Sequence, residues 1–178
     1  RIERLITDYS QMLKDEVALS REKMKKISLK LIVRSVVDDF NNIYELKRGI
    51  KIILNDFNNE EEYLISGIEN RIEQIIANLL DNSISFSDDN KKILVEISKD
   101  EKKRIVLKVI DEGKGFKETS TTKIFDRFYS NRPDTFGEHS GLGLNIVKNL
   151  VDLHGATINA SNNIMQKGAN VEIVFPKA

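Results

Sequence analysis

The sequence has 178 residues, 40% of them hydrophobic, which suits one domain with a sizeable core and one appended element. Lysine and arginine total 28 and aspartate and glutamate total 28, so the formal charge is zero and there is no electrostatic footprint for nucleic acid. No cysteine occurs, which excludes disulfides, thiolate metal sites and cysteine nucleophiles. No apolar run reaches the roughly 18 residues of a membrane span, and no signal-peptide pattern is present. The first residue, Arg1, falls inside a helical pattern, so the expectation is a piece of a longer chain with any membrane segments upstream.

In residues 1–26, Ile2, Ile6, Tyr9, Leu13 and Val17 recur at intervals of three and four, which predicts an amphipathic helix whose stripe needs a partner. Residues 28–47 read as a second helix, with Leu31, Ile32, Ser35, Val36, Asp39, Phe40 and Ile43 on one side and Gly49 as its stop. Residues 50–57 and 63–66 are β-branched and aromatic and read as a strand pair around a polar stretch. Asn70 followed by Glu73 resembles a capping box, and Ile72, Ile75, Ile76, Leu79 and Leu80 form the stripe of a third helix over residues 70–87. Residues 92–98 and 104–110 alternate apolar and polar around residues 100–103, a hairpin. About 30 glycine-bearing residues follow with only a short apolar knot at 124–129, a length that is usually functional and reads as a lid. Leu144, Val147, Leu150 and Val151 mark a last helix ended by Gly155, and residues 157–160 and 171–175 supply closing strands. The expected class is α+β, a helical layer on one sheet.

Three clusters carry chemistry. Asn78 and Asn82 lie one turn apart at the edge of an apolar stripe, bordering a crevice. Two amides beside Asp81 suit a hard cation such as Mg2+, which wants oxygen ligands and is held jointly with substrate phosphates. Asn82 is the better ligand, although the same pair also fits a solvated polar face. Asp111 follows directly on a strand, and Gly113 and Gly115 let the backbone turn and approach a ligand. Its carboxylate can accept from the exocyclic amine of adenine, though Asp and Gly are also ordinary turn residues. Finally, Ser140, Gly141, Leu142, Gly143 and Leu144 run into the last helix, where unpaired N–H groups and the positive dipole end suit a triphosphate or simply start a helix. No G-x-x-x-x-G-K-[ST] occurs, and Ile146 stands where a dinucleotide fingerprint needs its third glycine.

In order, "NLLDNSISFS", "DEGKGF", "IFDRFY" and "GLGLNIVKNLVDLHGA" resemble the N, first glycine, F and second glycine boxes of sensor histidine kinases. The likeness spans residues 28–178, "RIERLITDYSQM" resembles the end of a dimerisation and phosphotransfer helix, and the lid wording is nearest the ChvG-like subgroup. The resemblance implies two units, 1–27 and 28–178, and for the second the Bergerat fold, a two-layer α/β sandwich with a mixed sheet of about five strands. It implies that Asn82 coordinates Mg2+, Asn78 lines the same site, Asp111 reads adenine, Gly113 and Gly115 shape the pocket with Phe116, and residues 140–144 serve the phosphates. Phe125 and Phe128 would anchor the lid, and Arg127 and Arg132 would reach the γ-phosphate. Two departures stand out: Ser85 replaces a frequent Lys or Arg, and Lys114 a frequent Pro. Lys114, Lys123 and Lys148 are the alternative cations.

Related ATPases such as DNA gyrase resemble this fold but carry a glutamate one turn before the metal asparagine, where this sequence has Asn78. An amide is no general base, so the expectation is transfer of the γ-phosphoryl group of Mg-ATP without appreciable hydrolysis. Neither His139 nor His154 sits in the acceptor context, so the acceptor histidine is expected on a helical domain outside these residues. His139 reads as a solvated lid residue or a nucleotide contact, and His154 as a cation at a helix C-terminus. Implied partners are a response regulator and a second copy in the full-length kinase, on the cytoplasmic side of a membrane-bound sensor. The rival expectation is an ATP-sensing or dimerisation module without transfer.

Overall fold

The computed structural model describes residues 23–58, 60–116, 123–125, 143–163 and 167–178. Strand β1 (Lys25–Ser28) leads into helix α1 (Leu29–Arg48), followed by β2 (Lys51–Asn55), β3 (Leu64–Gly67), α2 (Glu69–Phe86), β4 (Lys92–Lys99) and β5 (Ile105–Asp111). A short 3-10 turn (Lys123–Phe125), helix α3 (Gly143–Leu153), β6 (Thr157–Asn162) and β7 (Ala169–Phe175) complete the chain order. A five-stranded sheet runs β2-β4-β5-β7-β6, with β2 parallel to β4 and the other neighbours antiparallel. Beside it, β1 and β3 pair antiparallel as a separate ribbon. The expected α+β sandwich is what the chain forms.

Local chemistry explains the element ends. The hydroxyl of Ser28 accepts from the Leu31 N–H at 3.2 Å and so starts α1. Gly49 ends α1 in the left-handed region at φ 66°, donating to the Glu45 carbonyl, with Lys47 and Arg48 complementing the dipole. In the β4–β5 hairpin one Asp100 oxygen accepts from the N–H groups of Lys102 and Arg104 at 3.0 and 2.8 Å, closing the expected turn.

Four expectations give way. Most of the helix expected over residues 1–26 lies outside the described residues, but Lys25 and Lys26 belong to β1, in a register that sets Ile27 opposite the fully buried Ile65. The anticipated pairing of β2 with β3 does not form: β2 joins β4 through a long crossover that includes α2, and β3 joins β1. The buried face of α1 is Leu29, Ile32, Val33, Val36 and Val37, while Leu31 and Ile43 face out. Helix α2 begins at Glu69 with Ile68 as N-cap and no side-chain cap, so Asn70 forms no capping box.

The core lies between sheet and helices. Along β4, Ile93, Val95 and Ile97 are buried while Leu94, Glu96 and Ser98 are half-buried, so one face of the sheet takes the helical layer. Ile72, Ile75, Ile76, Leu79 and Leu80 of α2 and Ile146, Val147, Leu150 and Val151 of α3 meet that face. The same stripe leaves the C-terminal half of α2 against the end of β5. Among the described residues no helix is long and apolar enough to cross a membrane.

Candidate functional site

The centre of the site is Asp111, which closes β5 and is only 2% exposed. One carboxylate oxygen accepts from the Gly113 N–H at 2.9 Å and the Ala169 N–H at 3.1 Å, and the Ser83 side chain hydrogen-bonds the same carboxylate. Burial pushes the Asp111 carboxyl above its ordinary value, and the donors from Gly113, Ala169 and Ser83 pull against that shift. The carboxylate is therefore held in place by three elements, β5, β7 and α2.

The glycines nearby are required by close approach. A Cβ on Gly113 would lie 2.4 Å from the Phe86 carbonyl oxygen, so only a residue without one lets the loop lie against the end of α2. Gly115 takes φ 78°, and a Cβ there would meet the Asn162 side chain at 2.6 Å. Beyond it, Asn162 clamps Phe116: its Oδ1 accepts from the Phe116 N–H at 2.6 Å and its Nδ2 donates to the Phe116 carbonyl at 3.1 Å. The Phe116 ring is buried in the core. A Cβ on Gly168 would run into the Asp111 carbonyl oxygen at 1.9 Å.

On α2, Asn78 is half-buried and Asn82 is 7% exposed, beside Ser83. Among the described residues no cluster of three or more His, Asp or Glu side chains is placed to hold a metal. A cation at this site would rest on the Asn82 amide oxygen, waters and the oxygens of a bound phosphate, a hard donor set that fits Mg2+. Ser85 is buried and its hydroxyl donates to the Asp81 carbonyl at 2.9 Å, so it is spent inside the helix. Of the alternative cations, Lys114 is exposed and Lys148 pairs with Asp152 at 2.6 Å.

Gly143 opens α3, Leu144 follows it half-buried, and a Cβ on Gly143 would meet nothing within 4 Å among the described residues. Ile124 and Phe125 are buried in the core, and Asn145 Nδ2 donates to the Phe125 carbonyl at 3.0 Å, tying the 3-10 turn to α3. Arg127, Phe128, Arg132, His139, Ser140, Gly141 and Leu142 lie outside the described residues. The structure thus brings together α2, the Asp111–Gly115 loop and the start of β7.

His154 departs from the expected helix-end cation. It is 6% exposed, its Nδ1 lies 2.7 Å from the Leu150 carbonyl and its Nε2 accepts from the Ile68 N–H at 3.2 Å. That pattern requires the neutral ring protonated on Nδ1. Burial holds its pKa below the ordinary value, opposed by the Leu150 bond. The sequence reading also missed Ser83, Asn162, Gly168 and Ala169. Their neighbours in sequence carry no periodic signal that would link them to Asp111.

Residues 67–178 match the family described as histidine kinase-, DNA gyrase B- and HSP90-like ATPase. The chain is 35% identical over 171 residues to the sensor protein ChvG of Rhizobium meliloti (strain 1021), across 91% of this chain and 29% of that protein. It therefore spans less than a third of that relative. The catalytic domain of histidine kinase ThkA superposes with a TM-score of 0.75 at 24% identity, covering 88% of this chain and 97% of that one. ThkA in complex with the response regulator TrrA gives 0.74 at 22% identity, covering 97% and 48%. Both likenesses speak for the fold.

Proposed function

The chain belongs to the histidine kinase-, DNA gyrase B- and HSP90-like ATPase family, and from that premise we propose that it is the ATP-binding catalytic part of a sensor histidine kinase. It binds Mg-ATP and hands the γ-phosphoryl group to a histidine on a separate helical domain. The observation that carries this reading is the buried Asp111 carboxylate, held by Gly113, Ala169 and Ser83. These three donors leave about one of the four acceptor positions of an ionised carboxylate, and the exocyclic amine of adenine is a donor that suits it.

The remaining roles follow from position. Gly113 and Gly115 let the backbone close around the base, and the N–H groups at the start of α3, from Gly143 and Leu144 with Ser140, Gly141 and Leu142 before them, take the phosphates. Mg2+ held in part by Asn82 would neutralise charge on the phosphate oxygens. Asn78 lines the same site without accepting a proton, so water is not activated and the phosphoryl group is kept for the acceptor. Arg127 and Arg132 are assigned to the γ-phosphate, with Phe125 and Phe128 as lid anchors. Residues ahead of β1 are read as the end of the dimerisation and phosphotransfer helix, with the catalytic unit running from β1 to residue 178. The full-length kinase works as a homodimer on the cytoplasmic side of a membrane and passes phosphate to a response regulator, a reading supported by the ChvG relative and the ThkA complex.

The test is transfer in trans. Mixed with γ-labelled ATP and the acceptor-helix domain of the ChvG relative, this chain should label a histidine on that domain and none of its own. ATP binding without any acceptor label would favour a sensing module, and label on His139 or His154 would overturn the role given to the second domain.

A further inference from the structure

We propose that Ser83 is a specificity-determining residue of the nucleotide site: its hydroxyl fixes the Asp111 carboxylate so that the remaining acceptor edge meets the exocyclic amine of adenine. The inference rests on the reading of Asp111 as the adenine contact.

Three serines follow one another along the end of α2, and they behave differently. Ser85 donates back to the Asp81 carbonyl at 2.9 Å and Ser87 to the Ser83 carbonyl at 2.8 Å, the i−4 bond that a buried helical serine ordinarily makes. Ser83, 4% exposed, instead hydrogen-bonds across to Asp111 on β5. A hydroxyl has one proton to give, so Ser83 gives it to the carboxylate.

The acceptor count of that carboxylate then matters. An ionised carboxylate offers about four lone-pair positions. The Gly113 and Ala169 N–H groups occupy two on one oxygen, at 2.9 and 3.1 Å, and Ser83 takes a third. What remains suits one further N–H donor. The 6-amino group of adenine supplies it, whereas the 6-carbonyl of guanine would face a carboxylate acceptor with no proton between them. Without Ser83 a second acceptor position opens, only the Gly113 and Ala169 N–H groups on one oxygen still hold the carboxylate, and water competes for the other. Because Ser83 follows Asn82, the same helical turn also holds the base-reading group in register with the proposed metal ligand.

Calorimetric titration of the whole chain with Mg2+ and either ATP or purine riboside triphosphate, which lacks the 6-amino group, tests this. Ser83→Ala, checked for folding by its melting curve, should weaken ATP about tenfold while changing the analogue less than about twofold, the size expected of one bond to a charged group. An equal loss for both nucleotides, or no loss for ATP, overturns the proposal. Asp111→Asn separates the two levels. If it abolishes the preference for ATP and Ser83→Ala does not, the role of Ser83 falls alone; if Asp111→Asn also leaves the preference intact, the adenine reading falls with it.

Discussion

Gly113 and Gly143 look alike in the sequence but answer to different forces. A methyl at Gly113 would press on the Phe86 backbone, so Gly113→Ala should cost about 1–3 kcal/mol in denaturant unfolding and weaken ATP binding with it. A methyl at Gly143 meets nothing within 4 Å among the described residues. Gly143→Ala should keep its melting temperature yet bind ATP less tightly by titration, because the added group stands where a phosphate would approach. Two titrating groups act with opposite sign. His154 is buried neutral with its pKa below 6.5, so its contribution to stability is full above that value and is lost as pH falls below it. The raised Asp111 value means its burial weighs on the fold at higher pH and is eased toward acid. Denaturant melts of His154→Gln should therefore lose less stability than wild type between about pH 7 and pH 5. ATP affinity should fall on the acid side as Asp111 takes a proton, and Asp111→Asn should remove that dependence.

Helix α2 carries both asparagines, and its two ends are held from outside. At its start the Ile68 N–H is taken by His154 at the end of α3, which replaces the side-chain cap that the sequence suggested at Asn70. At its end Arg48 of α1 donates to the Ile84 and Ser87 carbonyls at 2.8 and 2.6 Å and to Asp89 at 2.8 Å. The two carbonyls close a helix with no basic residue in its last turn. Arg48→Ala should cost about 2 kcal/mol. Faster amide exchange confined to the last turn of α2 and the facing Asp111–Gly115 loop would check where the loss is felt. Caps made by a neighbouring residue, such as Ser28 and Gly49, are readable in sequence because donor and acceptor are three or four residues apart. Caps made by His154 and Arg48 are not, because their partners lie on other elements.

Across the whole molecule, the proposed adenine reading depends on one mixed sheet that brings β5 and β7 together behind α2. The proposed chemistry at this scale is transfer without water. Steady-state phosphate release by the chain alone should stay far below its rate of labelling an added acceptor domain; release that keeps pace with nucleotide binding would make Asn78 the wrong basis for that reading. Periodicity alone located helices α1, α2 and α3, the β4–β5 hairpin and the α+β class, because the stripes of α2 and α3 and the alternation in β4 are statements about which side avoids water. The candidate site around Asn78, Asn82, Asp111, Gly113 and Gly115 was named by the resemblance of their segments to the sensor kinase boxes, because each cluster alone also fits an ordinary polar face or turn. Strand partners were decided only by tertiary structure: β2 chose β4 over β3, and β3 chose the unforeseen β1. The buried face of α1, the neutral state of His154 and the hold of Ser83 and Ala169 on Asp111 were decided there too. Each depends on contact between groups far apart in the chain, where burial and hydrogen bonding outweigh the local preferences that a sequence displays.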